Sequence, residues 1–412
     1  MSTKEKPVHA PMNQFPVKDN ELLIAGIPVT QLAKQVGQTP FYAYDRQLIT
    51  ERIELLRKHL PIDIHLHYAI KANPMPEVVQ HLAGLVDGFD LASAGEMRVA
   101  LQTTMPPDKI SFAGPGKTDM ELSAAIQAGV IVNLESENEM RRMSKLANQL
   151  GITPKAAIRV NPDYELKYSG MKMGGGPKQF GIDAERVPDM LREMKSLNLE
   201  FYGLHIFWGS QNLNAEAIKE AHDKTFDLAI RLNEHVPSPV KLLNIGGGLG
   251  IPYFPGEKRL NLQPIGENLN KLLPNLKSHL PEAEIVTELG RFIIGEAGVY
   301  ICKVIDKKIS RGETFLITDG GLHQHLAASG NFGQVIRKNY PVAIANHMND
   351  NEKETVNVVG PLCTPLDILG NRMKLPKANI GDLVVVFQSG AYGLTASPQS
   401  FLSHPLIKEI LA

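Results

Sequence analysis

The sequence predicts an α/β protein, made of a (β/α)8 barrel of the TIM type and a C-terminal, mostly antiparallel β domain. First, short apolar runs rich in Ile, Val and Phe alternate with helical patterns from about residue 64 to residue 291. Second, polar side chains gather where these runs end. Third, β-rich runs separated by Gly, Asn and Asp turns follow residue 291. These observations favour a closed barrel, with an open doubly wound sheet as the alternative.

Eight apolar runs are the candidate strands of the barrel. They end at residues 67–71, 89–93, 110–114, 131–135, 157–160, 203–206, 243–246 and 285–288. Eight βα units in roughly 230 residues match a closed barrel, whose functional groups cluster at the C-terminal ends of the strands. We therefore expect the functional site at that end.

The change of pattern near residue 292 predicts two domains. We place the barrel at residues 45–292 and a β-rich domain at residues 12–44 and 293–412. The early runs 22–24 and Phe41–Tyr44 precede the first barrel strand, and we expect them to pair with the β domain. The β domain is then discontinuous in sequence.

Charge and composition exclude several classes of partner. Among 412 residues, 43 are Lys or Arg and 44 are Asp or Glu, so the protein offers no long-range attraction to nucleic acid or anionic lipid. No apolar stretch is long enough for a membrane span, and no secretory signal is recognisable. Cys302 and Cys363 are the only cysteines, which fits a reducing compartment. We expect a cytoplasmic protein.

The polar strand ends suggest a site for a phosphorylated cofactor. Lys71 follows an apolar run, where desolvation favours the neutral amine that adds to an aldehyde as a Schiff base. Gly246–Gly248 follows the seventh run, where backbone N–H groups can approach a phosphate. Glu288 can face a pyridine nitrogen and His205 can stack on a ring. Each also has a structural alternative: a solvated lysine, a tight turn, an ion pair with Arg291, or a packed histidine.

Several motifs, taken in order along residues 25–405, resemble the alanine-racemase-fold (fold-type III) pyridoxal-phosphate-dependent decarboxylases. That family includes diaminopimelate, ornithine and arginine decarboxylases. The motifs are residues 68–73 (YAIKAN), 180–182 (FGI), His205 with 209–211 (GSQ), 246–250 (GGGLG), 288–291 (ELGR) and 390–392 (GAY).

The resemblance implies roles for individual residues. Cofactor contacts are implied at Lys71, Asp90, His205, Ser210, Gly246, Gly247, Gly248, Glu288, Gly290, Arg291 and Tyr392. Substrate contacts are implied at Arg291, Arg337, Tyr340 and Tyr392. Lys71 is implied to bind pyridoxal 5'-phosphate covalently, and Cys363 or Lys71 to return a proton after CO₂ is lost. Cys363 and Tyr392 are implied to reach across a homodimer interface into the partner's site.

Departures from the family pattern bear on the substrate. Diaminopimelate decarboxylases carry Cys-Glu-Ser-Gly-Asp where this chain has Cys363-Thr364-Pro365-Leu366-Asp367, so the glutamate that reads a distal amino group is missing. The segments 319–326, 331–334 and 363–367 are similar to a branch that includes exosortase-associated decarboxylases and a glutamyl-carrier-protein decarboxylase of butirosin biosynthesis. That branch implies an acidic or carrier-bound amino acid.

Three other interpretations stay open. The first is a diaminopimelate decarboxylase with a divergent pocket, and the second is an inactive homologue that only binds a partner. The third, a racemase, is disfavoured because racemases of this fold place an arginine where this chain has Glu288. We expect no metal site, since His323 and His325 have no third ligand in the sequence and fit surface or supporting packing better.

Overall fold

The computed structural model describes residues 7–165 and 171–412, and they form two compact units. Of the described residues, 53–165, 171–250 and 260–292 form the barrel unit, and 7–52, 251–259 and 293–412 form the β unit. Within the described residues, no helix combines the length and apolar character needed to cross a bilayer.

Eight parallel strands, β1 to β8 in chain order, form the barrel. They are β1 (Ile64–Ala69), β2 (Gly88–Leu91), β3 (Ile110–Phe112), β4 (Ile131–Leu134), β5 (Lys155–Asn161), β6 (Glu200–Ile206), β7 (Leu242–Asn244) and β8 (Glu284–Leu289). Pairing of β4 with β5 and of β8 with β1 closes the sheet, which confirms the barrel and excludes the open sheet. The two-residue strand Ile182–Asp183 adds to the end of β5.

Helices follow the strands and cover the barrel. Their bounds are Arg46–His59, Pro76–Ala83, Ala94–Leu101, Asp119–Ala128, Glu137–Leu150, Val187–Met194, Ala215–Asn233, Gln263–His279 and Arg291–Ile294. Four of these helices begin at a side-chain N-cap, which accepts a backbone N–H that the helix leaves unpaired. The capping residues are Ser93, Thr118, Ser136 and Asn214. Short 3-10 turns occur at Ile70–Ala72, Pro107–Lys109, Gly295–Ala297, Leu394–Ala396 and Phe401–Ser403.

The β unit is built on a mostly antiparallel sheet, as predicted. Its strands, in spatial order, are Val342–Ile344, Leu383–Val386, Gly298–Ser310, Glu313–Thr318, Lys353–Val359 and Ile368–Pro376. Phe41–Tyr44 pairs antiparallel with Gly298–Ser310 and parallel with Lys408–Leu411. The N-terminal run therefore joins this sheet, as the sequence predicted.

Residues 22–24 belong to the β unit, where the Leu22 N–H donates to the Ala345 carbonyl at 2.8 Å, but they lie in a small sheet of their own. Glu21–Ile24 pairs with Val17–Lys18 and Ile27–Pro28 in a separate three-stranded sheet instead of joining the main one. Its apolar side chains, with those of the following helix Val29–Val36, are nevertheless buried in the same core as Phe41, because packing on the main sheet removes them from water.

Candidate active site

Lys71 lies in the turn that follows β1. The strand ends at Ala69, and the 3-10 turn Ile70–Ala72 carries Lys71, which is exposed and not desolvated as the sequence predicted. Asn73 stabilises this turn: its backbone oxygen accepts the Tyr68 hydroxyl at 2.9 Å, and its side chain accepts the Met75 N–H at 3.0 Å. Hydrogen bonds within residues 68–75 thus fix the turn that carries the Lys71 amine.

Glu288 and His205 face each other at the same end of the barrel. Glu288 lies on β8 and His205 on β6, both are buried, and 3.3 Å separates the His205 Nε2 from the Glu288 Oε2. Burial alone would raise the pKa of Glu288, but the charges of His205, Lys71 and Arg159 hold it well below its ordinary value. Glu288 is therefore a buried, ionised carboxylate.

The glycines after β7 lie against the backbone of β8. A Cβ atom at Gly247 would stand 1.8 Å from the Glu288 carbonyl oxygen, and one at Gly248 would meet the Trp208 ring at 2.6 Å. Gly246 and Gly248 have φ values of +71° and +81°, which favour glycine. Only glycine fits these positions, so the loop has no side chains at residues 246–248.

Ser210 is brought beside this glycine loop. It belongs to the short strand Gly209–Ser210, which pairs with Met171–Lys172. The next turn bonds to the loop, because the Asn212 N–H donates to the Gly248 carbonyl at 2.9 Å. The predicted phosphate-binding residues, Ser210 and 246–248, therefore lie in neighbouring segments of the chain.

Gly290 and Arg291 connect the end of β8 to the end of β1. A Cβ atom at Gly290 would stand 2.8 Å from the Ala72 Cβ, so the glycine lets the two chain segments approach each other. Arg291 begins the helix Arg291–Ile294 directly after this contact. Gly290 therefore lies against the turn that carries Lys71, and Arg291 is the next residue along the chain.

Asp90 lies deeper in the barrel, on β2. Its carboxylate accepts the Ser111 hydroxyl, and its Oδ2 lies 3.6 Å from the His67 Nδ1. All three side chains are buried. Asp90 pairs in register with Ala69 of β1, so this polar group lies beneath the turn that carries Lys71.

Two charged residues of the barrel mouth, Arg159 and Glu135, end predicted strands but received no individual role from the sequence. Arg159 on β5 donates to Glu135, which follows β4, with 2.7 Å between Nη1 and Oε1. Both are buried, and Arg159 contributes to the low pKa of Glu288. Their positions at the ends of two predicted strands were the available signal, since charged groups there are rarely needed for packing.

Four other predicted residues lie in the β unit. Cys363 is exposed and unpaired, and Tyr392 is partly exposed with a φ of +53°. Tyr340 is buried and packs on Tyr253, with 4.7 Å between ring centroids. The Arg337 Nη2 donates to the Ile368 carbonyl at 2.5 Å.

His323 and His325 are fully buried, which rules out the surface placement and leaves supporting packing, the other predicted alternative. The His325 Nε2 lies 2.8 Å from the Ser389 Oγ, and its ring packs edge-on against Tyr300 and Tyr340. His323 packs against the His404 ring. Among the described residues, no group of His, Cys, Asp and Glu side chains has the arrangement of a metal site.

The residues of the barrel mouth fit the predicted cofactor. A phosphate requires donors that can approach closely, and the three glycines after β7 have no side chains that would keep a ligand away from the backbone. A pyridine nitrogen that is to stay protonated requires a nearby carboxylate, and Glu288 is ionised and buried. Lys71 supplies the amine. The arrangement therefore matches pyridoxal phosphate on three independent chemical requirements.

Comparison with known proteins agrees with this chemistry. A family model described as pyridoxal-dependent decarboxylase, pyridoxal binding domain, matches residues 46–295. The L-glutamyl-[BtrI acyl-carrier protein] decarboxylase of Niallia circulans is 37% identical over 389 residues, which cover 93% of this chain and 90% of that protein. The diaminopimelate decarboxylase of Aquifex aeolicus is 34% identical over 397 residues, covering 96% and 91%.

Solved structures show the same fold. The diaminopimelate decarboxylase of M. jannaschii, solved in complex with L-lysine, superposes with a TM-score of 0.86 and 25% sequence identity. The superposition covers 97% of this chain and 92% of that one. The fold, the site chemistry and the sequence relationships lead to one conclusion: the chain belongs to the family of pyridoxal-phosphate-dependent amino-acid decarboxylases.

Proposed function

We propose that this decarboxylase acts on an acidic amino acid, or on one attached through its side chain to an acyl carrier protein. The observation that carries the proposal is the state of Asp367, the only acidic residue in the segment 363–367. Its Oδ1 accepts the Leu322 N–H at 2.6 Å, and its Oδ2 accepts the Leu362 N–H at 2.9 Å. This carboxylate therefore supports two backbone turns and is not available to bind a distal ammonium group.

The surroundings of Asp367 reinforce this assignment. Cβ atoms at Gly321 and Gly360 would stand 2.2 Å and 2.3 Å from its carboxylate oxygens, so two backbone segments close around it. Its pKa is raised by burial, despite the two N–H donors, which is expected where solvent is excluded. A substrate with a positively charged end group would find no partner in this segment.

Arg337 supplies a positive group in the same unit. Its Nη2 is held by the Ile368 carbonyl, next to Asp367 in the chain, and its buried Nε makes no hydrogen bond within residues 7–165 and 171–412. We propose that Arg337, with Tyr340 beside it in sequence, contacts a carboxylate or a thioester carbonyl at the far end of the substrate. The relative from Niallia circulans, which is named for a glutamyl carrier-protein substrate, is consistent with this choice.

In the barrel, we propose that Lys71 holds the cofactor covalently and that residues 246–248 and Ser210 bind its phosphate. Pyridoxal phosphate, when bound, supplies the electron sink that stabilises the carbanion left after CO₂ departs. Glu288 holds a proton at the pyridine nitrogen, and His205 covers one face of the ring. Asp90, Gly290, Arg291 and Tyr392 complete the proposed contacts.

We also propose that the enzyme is a cytoplasmic homodimer in which Cys363 of one subunit returns a proton to the product in the other. Cys363 is exposed, as a residue that serves a partner's site must be before assembly. Nearby, Phe332, Val335, Ile336 and Leu366 are between 48% and 101% exposed. The Asn331 amide bonds to the Leu366 carbonyl and joins these segments into one apolar patch of the kind that marks protein interfaces.

Substrate screening tests the proposal. Release of CO₂ should be measured with free glutamate, diaminopimelate, ornithine, arginine and lysine, and with glutamate attached to a carrier protein. We expect turnover of the glutamate forms and at least about a hundredfold lower kcat/KM for the basic amino acids, since an unpaired buried charge costs several kcal/mol. Preferred turnover of diaminopimelate would support the divergent diaminopimelate decarboxylase instead, and no turnover would support an inactive homologue.

A further inference from the structure

The barrel mouth contains a charged group that the proposed cofactor contacts leave unexplained. Glu135 is buried, and it accepts hydrogen bonds from three separate segments of the chain. Its Oε1 accepts the Arg159 Nη1 at 2.7 Å and the Gly114 N–H at 2.5 Å, and its Oε2 accepts the Gly181 N–H at 3.1 Å. A buried carboxylate with this many donors is fixed in position.

Arg159 in turn lies between two aromatic rings. Its guanidinium carbon is 5.0 Å from the centroid of Phe180 and 5.9 Å from the centroid of Phe207. The Lys71 Nζ lies 5.8 Å from the centroid of the same Phe207 ring. Glu135 and Lys71 are therefore connected through one guanidinium and one shared aromatic ring.

This arrangement gives a reason for each residue of the motif at 180–182. Phe180 stacks on Arg159, and Ile182 pairs with Val160 of β5. Gly181, with a φ of +71°, donates its N–H to Glu135, and a Cβ there would stand 2.9 Å from the Arg159 carbonyl oxygen. Residues 180–182 therefore contact both partners of the ion pair, with Phe180 on Arg159 and Gly181 on Glu135.

Glu135 is supported by a second buried ion pair. The Lys117 Nζ donates to the Glu139 Oε1 at 2.8 Å and to the carbonyl oxygens of Gly114 and Asn133. The Glu139 Oε2 accepts the Glu135 N–H at 2.7 Å. Burial would raise the pKa of Glu135, but Arg159 and Lys117 lower it below its ordinary value, so the carboxylate is charged.

We propose that Glu135 is a positioning residue for the decarboxylase reaction: it fixes Arg159 against Phe207 and balances the charge of Arg159 near the Lys71 Nζ. Among the described residues, Lys71 acts on the carboxylates of Glu96 and Glu288, and Arg159 and His205 also act on Glu288. Glu288 faces His205, and Glu135 is the carboxylate that directly contacts Arg159. Glu135 therefore offsets the positive charge of Arg159. The proposal rests on the proposed function only in taking Lys71 as the residue that bears the cofactor.

The test compares Glu135→Gln with Glu135→Asp in the holoenzyme. Removing the charge leaves Arg159 unbalanced, which disfavours a proton on the Lys71 Nζ. The pH midpoint of the cofactor's absorbance change should therefore fall by roughly half a pH unit or more, because charges in a protein interior are only weakly screened. We expect kcat to fall about tenfold or more, with a smaller change in KM. Glu135→Asp keeps the charge and should keep the midpoint.

Glu137→Gln is the matched control, because Glu137 begins the helix that follows Glu135 and forms an ion pair with the exposed Arg186. An unchanged midpoint in Glu135→Gln, or an equal shift in Glu135→Asp, would overturn the proposal. If Glu135→Gln does not fold, Arg159→Gln replaces it and should shift the midpoint upward, and absence of that shift would be equally decisive. Borohydride labelling of Lys71 in the unaltered enzyme separates this outcome from failure of the proposed function.

Discussion

The Asn244 side chain donates a hydrogen bond to the Glu288 carboxylate, with 3.1 Å between Nδ2 and Oε2. The Asn244 Oδ1 also accepts the Gly246 N–H at 2.8 Å. One amide thus orients both the carboxylate proposed to face the pyridine nitrogen and the first glycine of the proposed phosphate loop. Since β7 ends at Asn244, the barrel itself sets this geometry.

Replacing Asn244 should therefore disturb two parts of the site together. We expect Asn244→Ala to lower cofactor affinity and kcat about tenfold or more, and to lower the free energy of unfolding by about 1–3 kcal/mol because buried partners lose their hydrogen bonds. Asn244→Asp keeps the acceptor for Gly246 but places a second carboxylate beside Glu288. If Asn244→Ala binds the cofactor as tightly as the unaltered enzyme, the orienting role is wrong.

Lys71→Ala should abolish covalent attachment of the cofactor. We expect the holoenzyme to be yellow and to become labelled at Lys71 on borohydride reduction, whereas the variant should show no label and lose activity by at least about a hundredfold. Lys145→Ala is a suitable control, because Lys145 is exposed on the helix Glu137–Leu150. Peptide mapping of the reduced protein identifies the labelled lysine, and labelling at any other lysine would contradict the assignment.

Gly247→Ala should close the proposed phosphate loop. The added Cβ would lie 1.8 Å from the Glu288 carbonyl oxygen, so the loop or β8 must move. We expect weaker cofactor binding, measured by fluorescence titration of the apoprotein, together with a lower thermal midpoint. Gly116→Ala is the control, since a Cβ there meets nothing within 4 Å. Equal cofactor affinity in the two variants would show that this loop does not bind the phosphate.

The low pKa of Glu288 predicts part of the acid sensitivity of the fold. A carboxyl group whose pKa is lower in the folded state stabilises the protein above its unfolded pKa of about 4.3, and this stability is lost as pH falls through the folded value. The free energy of unfolding should thus decrease from about pH 5 downward, and less steeply in Glu288→Gln. Urea unfolding at several pH values measures both slopes, which should differ if the carboxylate is ionised as described.

Shared sites predict complementation between inactive subunits. Lys71→Ala lacks the cofactor amine and Cys363→Ala lacks the proposed proton donor, so a mixed dimer should contain one site with both groups intact. We expect activity of up to about a quarter of the unaltered level after the two inactive proteins exchange subunits, because half of the dimers are mixed and each has one complete site. Mass spectrometry should establish exchange first. Exchange without recovered activity would exclude Cys363 as a residue that acts across the interface.

Sequence periodicity was sufficient to predict the barrel, because the pattern of a buried parallel strand and its helix lies within one short stretch of sequence. Each buried strand needs a short apolar run, and each following helix needs a polar cap such as Thr118 or Ser136. Lys71 and Glu288 were also recognisable, because a charged side chain directly after a buried run is costly unless it has a partner. The same reasoning did not decide which sheet residues 22–24 would join, since an isolated apolar run can pair with several edges.

The amino-acid sequence by itself determined the fold class, the cofactor chemistry and the residues proposed to hold the cofactor. Only the tertiary structure decided how those charges are balanced. The Glu135–Arg159 contact, the Asn244–Glu288 bond and the enclosure of Asp367 all join residues on different strands or loops. The strength of an electrostatic interaction depends on the distance between the charges and on their burial. Both are set when the chain folds, and neither follows from the residue type.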